Sequence, residues 1–165
     1  MQLKSILPAL LFAVLSGCAN YKPVPEGYTG PVATVSDSGF SEDGSKAQLF
    51  VLSDVDGNRI ATSIGASAQA SQGRGFALTI DIIQRQVPAK PMKVGLRATH
   101  ITAAPIQAIA SQMAGTFFSV EGAVDFSPKP NGKYVVKGEL KKEGSSVWIE
   151  DSDTQLPVTE KIVKK

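Results

Sequence analysis

Two stretches in the second half of the chain restrict what it can fold into. In residues 117–126, Phe118, Val120, Val124 and Phe126 alternate with Ser119, Glu121 and Asp125. In residues 133–141, Tyr134, Val136 and Leu140 alternate with Lys133, Lys137, Glu139 and Lys141. A period of two places the two sets on opposite faces of an extended strand. Residues 93–101 repeat the pattern, with Val94, Leu96 and Ala98 against Lys93 and Arg97. A chain with several such segments must bury one face of each against a second sheet.

The remaining segments fit that requirement. Residues 32–36, 47–55, 59–64, 76–84, 146–150 and 158–163 read as further short strands, with Asp56-Gly57 a hairpin signal between the second and third. Residues 37–46 read as a loop, and 87–91, with Pro88 and Pro91, as a stiff connection. Residues 65–75, rich in Ala, Ser, Gln and Gly, read as a flexible loop or one short helical turn. The one break in the strand pattern is 105–114. Ile106, Ile109, Ala110 and Met113 follow helical spacing, Pro105 suits the first turn and Gly115 the stop. The expectation is an all-β antiparallel β-sandwich, immunoglobulin/transthyretin-like, with one short helix covering an open end of the core.

An N-terminal signal peptide precedes this domain. Lys4 is followed by an apolar run over residues 6–15, too short for the ~20 residues that cross a bilayer as a helix. Small residues then lead through Leu15-Ser16-Gly17 to Cys18, the single cysteine of the chain. The block Leu-Ser-Gly-Cys resembles the lipobox of bacterial lipoproteins. The resemblance implies cleavage between Gly17 and Cys18 and acylation of Cys18, a palmitate-type anchor. One acyl chain holds a membrane marginally and two or more hold it stably, at about 0.8 kcal/mol per buried methylene. Ala19 rather than Asp follows the cysteine; by the same resemblance the protein goes to the outer membrane, facing the periplasm, with the inner membrane the lesser alternative.

The expected organisation is therefore a signal peptide at 1–17, a lipidated cysteine and tether at 18–30, and a β-sandwich at 31–165. The tether carries Pro23, Pro25, Gly27 and Gly30. An extended Pro-rich spacer at ~3.1 Å per residue lifts the domain about 35 Å from the membrane. A mature chain of about 150 residues holds a core without staples, which suits an oxidising compartment and no free cysteine pair. The formal net charge of +2 is too small to argue for nucleic acid as a partner, and the basic end at 161–165 reads as a solvated tail.

The residues that carry chemistry are few. His100 stands alone, without a second histidine or a nucleophile motif, and reads as a strand-end histidine. One histidine and one lipidated cysteine do not make a zinc site. Asp54-Val55-Asp56-Gly57-Asn58 lacks the closing acidic residue of a calcium loop and reads as a turn. Glu150, Asp151 and Asp153 form an acidic group that suits a loop, with a cation as the alternative. Arg74, in Gly73-Arg74-Gly75, and Arg85, before Gln86-Val87-Pro88, are candidates for a binding surface facing a carboxylate or glycan. The plainer reading is an arginine stem laid over apolar surface.

Taken together, Leu15 to Cys18, Val55-Asp56-Gly57, Gly73 to Phe76, Arg85 to Pro88, Ala104-Pro105-Ile106, Val120 to Val124, Tyr134 to Leu140 and Val147 to Asp151 resemble a group of small proteobacterial lipoproteins. No reaction is attached to these motifs. The expectation is a non-catalytic, cofactor-free and metal-free binding or structural module of the cell envelope. It is anchored to the membrane through Cys18, with an envelope protein or peptidoglycan as partner. The alternatives are a cell-wall or glycan-acting enzyme using Glu150 and Asp151, and a small-ligand or metal-binding module.

Overall fold

The computed structural model describes residues 21–164. Gly17, Cys18 and the signal segment lie outside the described residues. The order of elements is β1 (Val32–Ser36), β2 (Ser38–Ser41), β3 (Lys46–Val55), β4 (Asn58–Arg59), α1 (Ser63–Ala70), β5 (Gln84–Pro88), β6 (Met92–Thr102), α2 (Pro105–Met113), β7 (Ser119–Phe126), β8 (Lys133–Glu139), β9 (Ser145–Asp151) and β10 (Ile162–Lys164). One sheet runs β10-β9-β8-β1-β5; the other runs β2-β3-β6-β7, with β4 hairpinned onto β3.

The protein is mostly β, as the alternating segments require, but the sheets are not purely antiparallel. β1 and β8 pair in parallel through Thr34, Val35 and Ser36 against Lys133, Tyr134 and Val135. Inward side chains from the two sheets, among them Val35, Phe50, Leu52, Val94, Leu96, Val136 and Ile149, form one buried cluster. Phe126 and Tyr134 meet edge to face at 5.1 Å across it. β7 and β8 keep the faces read from the sequence: Val120, Phe126, Tyr134 and Val136 are buried, while Glu121, Asp125, Lys133 and Lys137 are exposed.

The 37–46 stretch is not only a loop. At Asp37 the chain leaves the first sheet as β1 and enters the second as β2. The Asp37 side chain is fully buried and forms a fork with Arg85, Nη1 to Oδ1 and Nη2 to Oδ2, both 2.7 Å. It also accepts the backbone N–H of Leu52 at 3.0 Å and, from Ser63, the backbone N–H at 2.9 Å and the hydroxyl at 2.8 Å. A buried ion pair needs this many partners, because a desolvated charge with unsatisfied lone pairs is strongly destabilising.

A second helix of two turns stands where a strand end and a loop or one short helical turn were expected. The return strand stops at Arg59, and Thr62 caps α1, its hydroxyl accepting the N–H of Gly65 at 3.5 Å. The face that α1 buries is made of serines, Ser63, Ser67 and Ser71, spaced four apart. Their hydroxyls accept the backbone N–H groups of Ile83 (2.8 Å), Asp81 (2.9 Å) and Thr79 (2.9 Å). Four helical residues rise about 6 Å and two extended residues about 6.7 Å, so the two repeats stay in step. This is why 76–84 is not a ladder strand: alternate N–H groups already have hydroxyl partners. β5 forms further on, at Gln84–Pro88, from the end of the expected strand into the start of the stretch read as a stiff connection. Pro88 is tolerated because β5 is an edge strand and loses no ladder bond.

α2 spans the expected residues, and Gln107 accepts the N–H of Ala104 at 3.0 Å across its start. It does not cover the core. Ile106 is 67% exposed, Ile109 57% and Met113 86%. Part of the expected tether, from Tyr21 on, forms a turn and touches the domain. Tyr28 donates its N–H to the Pro25 carbonyl at 3.2 Å, Gly27 takes φ +75°, and Tyr21, Pro23 and Tyr28 line a cleft with Pro88 and Met92. At the other end, β10 pairs with β9, and Lys161 Nζ sits 3.8 Å from the centre of the Trp148 ring; the basic end is therefore a strand, not a tail. Lys165 lies outside the described residues.

Candidate functional site

The residues singled out in the sequence do not converge. The Arg85 guanidinium is bound inside the domain by Asp37, and its Nη2 also donates to the Ala61 carbonyl at 3.2 Å. Arg74 lies in the exposed turn after α1 and donates to the Thr79 hydroxyl at 2.6 Å. His100 is buried and bridged. The N–H of Phe118 can only donate, so Nδ1 accepts it at 3.0 Å, and Nε2–H donates to Glu42 at 2.9 Å. Burial pushes the Glu42 carboxyl up, but hydrogen bonds from Gln48, Lys46 and His100 outweigh it and hold Glu42 below the usual carboxylate range. Lys46 Nζ also donates to the Thr116 carbonyl at 2.8 Å. The cluster fastens the β2–β3 loop to the segment between α2 and β7.

The acidic group is held by its own turn. Asp151 Oδ1 accepts the N–H groups of Asp153 and Thr154, both at 3.0 Å. The Thr154 hydrogen bond, against a desolvation that pushes the other way, leaves the Asp151 carboxyl lowered. Glu150 accepts the Trp148 indole N–H at 2.8 Å. Both acids border a shallow hollow with Lys137 and Gln155 on the outer face of the first sheet. Among the described residues no group of three His, Cys, Asp or Glu is placed to hold a metal. Asp56 and Gly57, at φ +49° and +78°, form the expected hairpin turn.

A groove of about 570 Å³ lies on the outer face of the second sheet, beside the start of α1. A β-bulge creates it. Phe50 and Leu52 face the core, pairing is interrupted between Leu52 and Asp54, and Val55 faces the core again. The extra residue turns Asp54 outward, as bulges re-aim side chains. Opposite Asp54 lies Gly95, and opposite Gly95 lies Ala123. A Cβ on Gly95 would collide with the Asp54 carboxylate. Gly95 leaves space that the Asp54 carboxylate takes, and beside it the floor is low because Ala123 carries only a methyl.

No family model matches the chain, and neither does any curated protein or solved structure.

The groove is ionic at its edges. Arg59 is opposite Asp54 on β4, and Arg97 is opposite Glu121 across β6 and β7. Ser53 donates its hydroxyl to Asp54 Oδ2 at 3.0 Å. Arg97 Nε lies 3.6 Å from Glu121 Oε2, and the two side chains are 46% and 73% exposed. Such a pair is worth ~0–1 kcal/mol and yields readily to a better partner. Ile60 and Ile64 supply an apolar wall. Of these residues, the sequence reading reached Asp54 as part of a turn, Arg97 and Glu121 as polar strand residues, and Arg59 to Ile64 as a returning strand, without joining them in a site.

Proposed function

We propose that the chain is a lipid-anchored periplasmic lipoprotein of the outer membrane, a non-catalytic module that binds another component of the envelope. The anchor follows from Leu15-Ser16-Gly17-Cys18. The finer fold class proposed is an immunoglobulin/transthyretin-like sandwich, supported by two packed sheets with apolar inner faces. The observation that carries the binding reading is the groove built by the Asp54 bulge and Gly95. It has the size of a small-ligand site, loosely held charges at its rim and rigid strands beneath it, the support that a precise site needs.

The residues with the most fixed partners fit structural roles. Asp37, Arg85 and His100 each bind groups of their own chain at hydrogen-bond distance. The test is a set of folded, normally located variants assayed in cells lacking the protein. His100→Ala or Glu150→Gln at matched abundance retains function, whereas Arg97→Gln does not. Loss of function by a folded Glu150→Gln variant, with Arg97→Gln active, transfers the activity to the first sheet and overturns the reading.

A further inference from the structure

We infer that the groove over Gly95 and Ala123 binds a short aliphatic peptide carrying both a free amino group and a free carboxylate. The inference rests on the binding-module reading and names its ligand class. Three features converge on it. First, the groove presents both signs of charge. Asp54 overhangs Gly95 on one side. Arg97 stands on the same face of β6, two residues along, and among the described residues its side chain makes no hydrogen bond, only an ionic contact with Glu121 at 3.6 Å. A purely anionic ligand meets Asp54 and Glu121, and a purely cationic one meets Arg59 and Arg97. A zwitterion satisfies both.

Second, the spacing fits. Positions i and i+2 on a strand are about 7 Å apart, and an extended dipeptide spans up to about 7 Å. With an ammonium donating to Asp54 over Gly95, the far carboxylate lies on the side of Arg97, whose long side chain and planar fork suit a carboxylate. Third, the wall beside this axis is Ile60 and Ile64, and the floor next to Asp54 is Ala123, whose side chain is a single methyl, so the groove suits small aliphatic side chains. Arg59, across β4 from Asp54, keeps the Asp54 end from being uniformly negative.

The test is titration of the purified full chain with alanyl-alanine, N-acetyl-alanyl-alanine and alanyl-alaninamide, followed by calorimetry. Alanyl-alanine binds saturably, and blocking either end weakens binding about tenfold or more, the scale of one charge-assisted hydrogen bond. In Asp54→Asn the free and acetylated peptides bind alike; in Arg97→Gln the free and amidated peptides bind alike. Circular dichroism confirms that each variant is folded. Equal binding of all three probes by the wild type, or no saturable binding of alanyl-alanine, overturns the inference. The wider reading then stands or falls separately on whether any envelope component reaches the groove in cells.

Discussion

Asp37 is a carboxylate removed from water and surrounded by donors from Arg85, Leu52 and Ser63. It joins β1, β2, β3, α1 and the start of β5 at one point. Replacing Asp37 with Ala leaves the Arg85 guanidinium, 9% exposed, without its counter-charge. The expected loss is about 3–5 kcal/mol, the range for breaking one half of a buried pair. Urea denaturation checks it; a loss below ~1 kcal/mol contradicts the assigned role. Sequence gave little sign of this residue, because an Asp beside Ser and Gly also suits a turn. Arg85 was visible, but its partner lies far along the chain and its burial depends on that partner.

Glu42 carries a pH prediction. Its folded-state carboxyl is held below the usual range by Gln48, Lys46 and His100. A lowered folded value contributes stability that is full above the unfolded value, about 4.3, and is lost as pH falls through the folded one. Glu42→Gln is therefore less stable than the wild type at neutral pH, and the gap narrows below about pH 4. Denaturation midpoints at neutral and acid pH measure this. A gap that is constant with pH contradicts it.

At the scale of elements, strands with one apolar face were the readable part. In β7, Val124 packs against the core and Asp125 is exposed. Val124→Asp therefore destabilises by several kcal/mol, a large share of a total of ~5–15 kcal/mol, while Asp125→Ala stays within about 0.5 kcal/mol. Similar urea midpoints for the two variants would contradict the register. α1 was not readable as a full helix, because hydrophobic period is the signal and its buried face is Ser63, Ser67 and Ser71. α2 showed the opposite case. Its period was plain, yet Ile106, Ile109 and Met113 face outward, since period reports an amphipathic face and not what covers it. The groove was hidden for a third reason. The strand that carries the site reads as a continuous apolar run because Leu49 and Val51 are buried as well as Phe50 and Leu52 on the opposite face, and the bulge before Asp54 follows that run.

For the whole molecule, the proposal joins an anchor to a site. Cys18→Ala is expected to abolish fatty-acid labelling and to leave the chain unprocessed; undiminished labelling contradicts the anchor. Residues Tyr21 to Tyr28 turn back against Pro88 and Met92, so the reach of the domain is shorter than a free proline-rich spacer gives.

The central claim is that an envelope component occupies the groove on that sheet. The direct measurement places a photoreactive residue at Ala123, on the groove floor, or at Lys137, on the outer face of the first sheet. Intact cells producing the full chain at matched abundance are irradiated, and the purified chain is weighed by mass spectrometry. The account predicts a discrete adduct from position 123 that Arg97→Gln diminishes, and none from position 137. No adduct at 123, or equal adducts at both positions, contradicts it.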